Sequence, residues 1–533
     1  MQQPIESAAG LSRRTVLRRF LVGGAALTLP GVLAACGQRE TGTTTAAALK
    51  TAKGGTITWG KAGEATLLDP TTGGVGSSME LFQVVYDSLL GTDGDLRLVP
   101  GLAEKWEQRG AKEYVFTLRE GVKFSNGRAL SADDVVATFE RYLDPKRGSS
   151  LASFIPPGTK VRKTDARTVR FDLGAASSTF LSAVASAYAV ILPMQEVAAK
   201  EIDLSKELLG TGPFMVKSHK PGSSWLMERN PHAWQPPVAD RLAIKIMPDD
   251  NARVAALRDG SIDLTAFDVP DAERLLKGVP NTSVKLQERT DFYALILNAT
   301  AKGRPFADER VRRAVAHAID REKIQEIALA GTGQPTGPVS ATFGDIAPKP
   351  TLAHDPTEAK ALLAAAGEED LSFEIVYSGD AFGRIAQVLQ QSLKASGITV
   401  KLGSLEEGVW LDRVYTKDPA QFDATVSWYA AYVGPAQALN LWNTKVTPFP
   451  FQLDDPRITD LVVAAQSADG EAAQRPALQA ACEAIDRQAN TITLVTKPAT
   501  IAWRDDRIAL QIDARDGNID PLRHVDEYAV ATA

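Results

Sequence analysis

Asp308-Glu309-Arg310-Val311-Arg312-Arg313-Ala314-Val315-Ala316-His317-Ala318-Ile319-Asp320-Arg321-Glu322 carries the clearest local pattern in the chain. Val311, Ala314, Val315, Ala318 and Ile319 recur at i, i+3, i+4, i+7 and i+8, the stripe that one face of an α-helix presents, and Asp308 is placed to cap its N-terminus. Upstream, Phe292 to Asn298 is a short apolar run that reads as a buried strand. Downstream, Phe373 to Tyr377, Arg384 to Ala395 and Ile398 to Leu402 predict strand, helix and strand, with Ile385, Val388, Leu389 and Leu393 on the helix's buried side. Such a crossover joins parallel strands in a sheet covered by helices. Further towards the N-terminus, Gly54 to Gly60, Glu113 to Leu118 and Thr168 to Leu173 are strand-like. Ser131 to Asp134 reads as a helix cap ahead of a stripe made by Val135, Val136, Phe139 and Leu143. The fold class is α/β.

Residues 1–35 read as an export signal. Arg13 and Arg14 precede an apolar run from Phe20 to Ala35, which is shorter than a bilayer-spanning helix and interrupted by Gly23, Gly24, Pro30 and Gly31. The twin arginines resemble the signal of the folded-protein (Tat) route, with Val16 where that pattern prefers Phe. Leu33-Ala34-Ala35-Cys36 resembles a lipobox, which implies diacylation of Cys36 and stable anchoring to a membrane. Residues 36–53 then read as a lipidated tether, whose 17 residues after the cysteine would span roughly 20–25 Å as coil. Gly37 is not the Asp that retains lipoproteins at the inner membrane of some two-membraned bacteria, so the membrane face stays open.

The 533 residues exceed what a single hydrophobic core holds, so two or three lobes are expected. Removing the signal takes away four arginines and one glutamate and moves the formal charge from −6 to −9. An acidic chain without a basic block argues against nucleic acid as partner. With Cys36 acylated, Cys482 has no intramolecular partner for a disulfide. The five histidines are scattered, without HExxH or a pair at i, i+4, and no Walker loop or GxSxG is present. Gly331 to Gly337 is glycine-rich but follows a helix, and reads as a connecting turn. No metal, cofactor or catalytic residue is therefore expected.

Phrases spread along the chain resemble the large solute-binding proteins of bacterial ABC importers, the peptide/nickel (family 5) group. They include Leu68-Asp69-Pro70, Tyr86-Asp87-Ser88-Leu89-Leu90, Pro100 to Trp106, Tyr114 to Phe124 with Asn126-Gly127, Gly210 to Phe214, Arg229-Asn230-Pro231, Leu257 to Asp263 and the helix at 308–322. The resemblance implies a two-lobed periplasmic-binding-protein-like fold of the large cluster C type, with a hinge and an interlobe ligand cleft. It maps lobe I onto 54–290 plus 497–533 and lobe II onto 291–496. It implies a monomeric carrier rather than an enzyme, which hands a peptide or other small organic solute to an ABC permease and its ATPase subunits outside the cytoplasm. An exported cell-surface hydrolase and a solute receptor without transport are the rival readings.

Within that family, peptide binders place an acidic residue for the α-ammonium group in a stretch matched here by Phe422 to Pro435. The acidic position falls on Ala431, and the carboxylate-binding arginine aligns near Val376. Arg384 is close to the latter in sequence, on the following helix. Trp428, Tyr429, Tyr432 and Trp442 place four aromatics in fifteen residues of a chain that is 7% aromatic. Aromatics so spaced serve more often as core than as binding surface; if they line the cleft, they suit stacking against a flat, apolar or sugar-like group. The candidate ligand-binding residues are Trp428, Tyr429, Tyr432, Trp442, Arg384 and Ser77.

Overall fold

The computed structural model describes residues 51–72, 76–267, 272–301, 303–417, 419–429, 432–510, 512, 515–516, 522 and 524–531. The export signal with Arg13 and Arg14, the lipidation site Cys36 and the position of Ala431 lie outside them. Thr51 and Ala52, expected in the tether, instead form a short strand antiparallel to Ala529–Ala531, so the folded body starts slightly earlier than glycine content suggested.

Two sheets organise the molecule. An eight-stranded sheet runs in the order Arg515–Asp516, Thr282–Arg289, Ala499–Arg504, Leu264–Phe267, Thr56–Lys61, Arg241–Ile246, Ser224–Arg229 and Phe214–Lys220. A five-stranded sheet runs Thr399–Ser404, Ser372–Tyr377, Ala424–Tyr429, Phe292–Leu297 and Thr491–Thr496. The strand–helix–strand unit read from the sequence is at its edge, with Ser372–Tyr377 and Thr399–Ser404 parallel and the helix Asp380–Ala395 between them. A smaller four-stranded antiparallel sheet holds Ala103–Arg109, Glu113–Leu118, Thr168–Asp172 and Lys160–Lys163.

The pleat of the five-stranded sheet separates two cores. Tyr293, Leu295, Leu297, Ala424 and Val426 face the helices Glu309–Ala318, Pro356–Ala366 and Asp380–Ala395. Val311, Ala314, Val315, Ala318 and Ile319 are each fully buried there, and Asp308 accepts from the Arg310 N–H at the helix start. Phe292, Ala294, Ile296 and Tyr429 belong to the opposite core, which runs on into the small sheet through Tyr114, Phe116 and Phe171. Ser131 and Asp134 close a capping box at the helix Ala132–Tyr142. Asn126-Gly127 makes a tight turn in which Gly127 has φ of 90°, a conformation costly for any residue with a Cβ.

The chain passes between the two large sheets twice. Thr282–Arg289 leads through Thr290 and Asp291 into Phe292–Leu297, and Thr491–Thr496 leads through Lys497 and Pro498 into Ala499–Arg504. The passages lie side by side, because the Lys497 N–H donates to the Asp291 carbonyl at 2.7 Å. The glycine-rich turn braces one of them: Gln334 and Thr496 exchange hydrogen bonds, with the Gln334 N–H reaching Thr496 Oγ1 at 3.0 Å.

Near the end of the chain, burial pushes the Asp526 carboxyl up to about 6, with the nearby charges of Glu527 and Asp87 adding to the rise. Because the folded value exceeds the unfolded one, the stability this group contributes is present below about pH 4 and is lost as pH rises through about 6. Asp526→Asn is therefore expected to stabilise the protein at pH 8, by on the order of 2 kcal/mol, with little gain at pH 4. Denaturant titrations at the two pH values check this, and an equal effect at both would contradict it.

Candidate functional site

Two adjoining cavities lie where the sheets approach each other. The larger encloses about 750 Å³ and the smaller about 270 Å³, and they share Pro248, Asp250, Trp428 and Lys497. The eight-stranded sheet contributes the end of Thr56–Lys61 and the start of the helix Asp250–Asp259. The five-stranded sheet contributes Tyr293, Trp428 and the start of the helix Asp380–Ala395. Arg289, Asp291 and Lys497, at the two passages, line the smaller cavity.

Local folding places these groups. Tyr293 and Trp428 are register partners on antiparallel strands, so their rings stand together on one face and line the larger cavity. The Lys497 ammonium lies 4.9 Å from the centre of the Trp428 ring, a cation–π distance. Asp249 caps the helix Asp250–Asp259 by accepting from the Ala252 N–H at 2.7 Å, which turns the segment 248–250 towards the cavity mouth. Gly379, at φ of 86°, enters the helix Asp380–Ala395 in a backbone conformation that favours glycine.

Both signs of charge line the space. The larger cavity has Asp249, Asp250 and Asp380 with Arg274, Arg384 and Lys497; the smaller has Glu80, Asp250 and Asp291 with Lys61, Arg253, Arg289 and Lys497. Some are matched within the protein: Lys61 pairs with Glu80 at 2.5 Å, and Arg253 pairs with Asp250. Neither a histidine nor a cysteine lines either cavity among the described residues, and no cluster of His, Cys, Asp and Glu there could hold a metal. The arrangement can hold a solute that carries both charges and offers a flat or apolar surface to Trp428 and Tyr293.

Of the residues chosen from sequence, Trp428, Arg384 and Ser77 line these cavities. Tyr429, Tyr432 and Trp442 are in the core instead, 7%, 7% and 3% exposed. The pleat turns Tyr429 away from Trp428, against Phe292 and Phe449. Tyr432 packs edge-on against Phe154, and its backbone N–H and carbonyl are both held by Thr290 Oγ1 at 2.8 Å. Burial holds the phenols of Tyr429 and Tyr432 well above the usual tyrosine range, as befits core groups. Sequence reasoning missed Trp59, Lys61, Asp250, Arg253, Arg289 and Lys497. A signal was available for one of them: Lys497 is the charged residue that directly follows the apolar strand Thr491–Thr496, where the chain changes sheet, whereas Arg289 ends a strand already rich in polar and charged residues.

The family model for bacterial extracellular solute-binding proteins, family 5 Middle, matches residues 97–448. The chain belongs to this family. Among curated relatives of this solute-binding chain, the oligopeptide-binding protein AppA of Bacillus subtilis is 28% identical over 439 residues, 76% of this chain and 79% of AppA. The dipeptide-binding protein of Escherichia coli is 28% identical over 390 residues, 66% of this chain and 71% of the relative. The fold is that of the periplasmic binding protein DppA from Helicobacter pylori, solved in complex with the peptide STSA. The two match with a TM-score of 0.77 at 22% identity, over 90% of this chain and 99% of the other. The α/β, two-lobed architecture expected of a family 5 solute-binding protein is thus the one observed.

Replacing Trp428 by Ala is expected to weaken solute binding about tenfold, the range of one lost aromatic stacking contact. Tyr429→Phe is expected to leave affinity unchanged. Calorimetric titration of solute-free protein with the compound it retains on purification checks both, and unchanged affinity in folded Trp428→Ala would contradict the assignment.

Proposed function

We propose that this protein captures a peptide or another small organic solute bearing both charges and delivers it to the permease and ATPase subunits of an ABC importer. The observation that carries the reading is the pair of cavities, lined by acids, bases and aromatic rings, where the two large sheets meet beside the double passage of the chain. Relatives named for dipeptide and oligopeptide binding support the solute class.

In this reading the lobes are 54–290 plus 497–533 and 291–496. The strands support that division, since the eight-stranded sheet draws on segments before 290 and after 497 while the five-stranded sheet draws only on the segment between. Closure of one lobe on the other buries the solute, and a closed form recognised by the permease requires contacts from both walls. Arg13-Arg14 and the Leu33 to Cys36 stretch support export by the Tat route and lipid anchoring at Cys36, which would keep a monomeric carrier beside its permease. Ser77 and Arg384 join Trp428 as contact residues. Where peptide binders of the family use an acidic residue, this chain has Ala431, so an ammonium group of the solute falls to Asp249 or Asp380 in the larger cavity, Asp250 being paired with Arg253.

Native mass spectrometry of protein purified without denaturation tests the reading. The expected result is a retained small solute, released unchanged on denaturation and reloaded by the stripped protein. Conversion of the reloaded solute to a product would contradict it and favour a hydrolase.

A further inference from the structure

Of the buried side-chain N–H groups that find no hydrogen-bond acceptor among the described residues, three belong to residues around the smaller cavity: Trp59 Nε1, Arg253 Nε and Arg289 Nε. Their residues are 2%, 2% and 4% exposed, and all three line the smaller cavity. Buried donors are almost always satisfied in folded proteins, so three around one space mark a place for an acceptor-rich group.

The three are not equivalent. Arg253 has its charge met by Asp250 and donates also to the carbonyls of Met247 and Pro248, while its guanidinium lies 5.2 Å from the centre of the Phe267 ring. Arg289 differs: among the described residues its guanidinium makes no hydrogen bond and no ion pair. A buried charge in that condition is strongly disfavoured unless something arrives to meet it. The lining charges point the same way. Lys61 pairs with Glu80 and Arg253 with Asp250, and the remaining lining charges are Arg289 and Lys497 against Asp291, a surplus of one positive charge.

We propose that the smaller cavity is a carboxylate subsite in which Arg289 receives a single carboxylate of the solute, with Trp59 Nε1 and Arg253 Nε as additional donors. This deepens the proposed function and rests on it. The surplus is one positive charge, and Glu80, Asp250 and Asp291 line the same space, so a monoanion fits where a phosphate dianion meets repulsion. A planar guanidinium suits a carboxylate in two-pronged fashion. The wall shared through Pro248, Asp250, Trp428 and Lys497 lets the rest of the solute extend into the larger cavity. The anion receiver is the last residue of Thr282–Arg289 in the eight-stranded sheet, and not position 376 of the five-stranded sheet, where the family resemblance implies an arginine and this chain has Val376, buried in the core.

The test uses two probe libraries, one of di- to pentapeptides and one of non-peptide organic monocarboxylates, each offered as free acids and as the neutral amides. Binding to stripped protein is read by calorimetry. The expected result is that free acids bind at least about tenfold more tightly than their amides, the range of a lost charge-assisted hydrogen bond. Arg289→Gln should abolish that preference, Arg289→Lys should keep part of it, and Trp59→Phe should weaken acids more than amides. Should Arg289→Gln fail to fold, the Arg289→Lys and Trp59→Phe ratios carry the test. Acids and amides bound equally by the native chain, or a preference that survives in Arg289→Gln, would overturn the subsite. Capture of peptides without an acid preference would do so while leaving the proposed function standing, whereas binding from neither library would overturn both.

Discussion

One backbone hydrogen bond, from the Lys497 N–H to the Asp291 carbonyl, joins two residues that line the smaller cavity. It ties together the two places where the chain leaves one large sheet for the other. A polypeptide that crosses once could rotate freely about the connection, whereas two crossings held side by side restrict relative motion to bending about a shared line. The residues at the crossings are then the ones that see both walls. Arg289, Asp291 and Lys497 are there, and each lines the smaller cavity.

That placement has an electrostatic consequence. Charged side chains at the base of a cleft are shielded from water by both sheets, so each must be matched or must wait for a partner. The protein matches Lys61 with Glu80 and Arg253 with Asp250, and stacks Lys497 over Trp428. Core aromatics behind the cleft keep the wall firm. Tyr429 and Tyr432 fill space between the five-stranded sheet and the small sheet, and Thr290, a crossing residue, is bonded to the backbone of Tyr432. Wall, crossing and cavity are parts of one packed arrangement.

The fold was largely legible in the residues, because periodicity and capping are local. The stripe from Val311 to Ile319 and the crossover unit at 373–402 both appear where their spacing puts them. The site was legible only in part. Trp428 could be picked out by its aromatic neighbourhood, but a one-residue step along a strand reverses the side chain, and that step sends Tyr429 to the core. Arg253 and Trp59 were not legible at all, since nothing in their own segments shows that strands some 190 residues apart bring them to one space. Long-range sheet order decides that, and composition carries no trace of it.

The central claim is that a single solute is held by both sheets at once. Hydrogen–deuterium exchange of the stripped and the reloaded protein tests it most directly. The account predicts that reloading protects the amides at 248–250, on the eight-stranded side, and those at 378–380, on the five-stranded side, together and to a similar degree. Protection on one side alone, with the other exchanging as in the stripped protein, would contradict it.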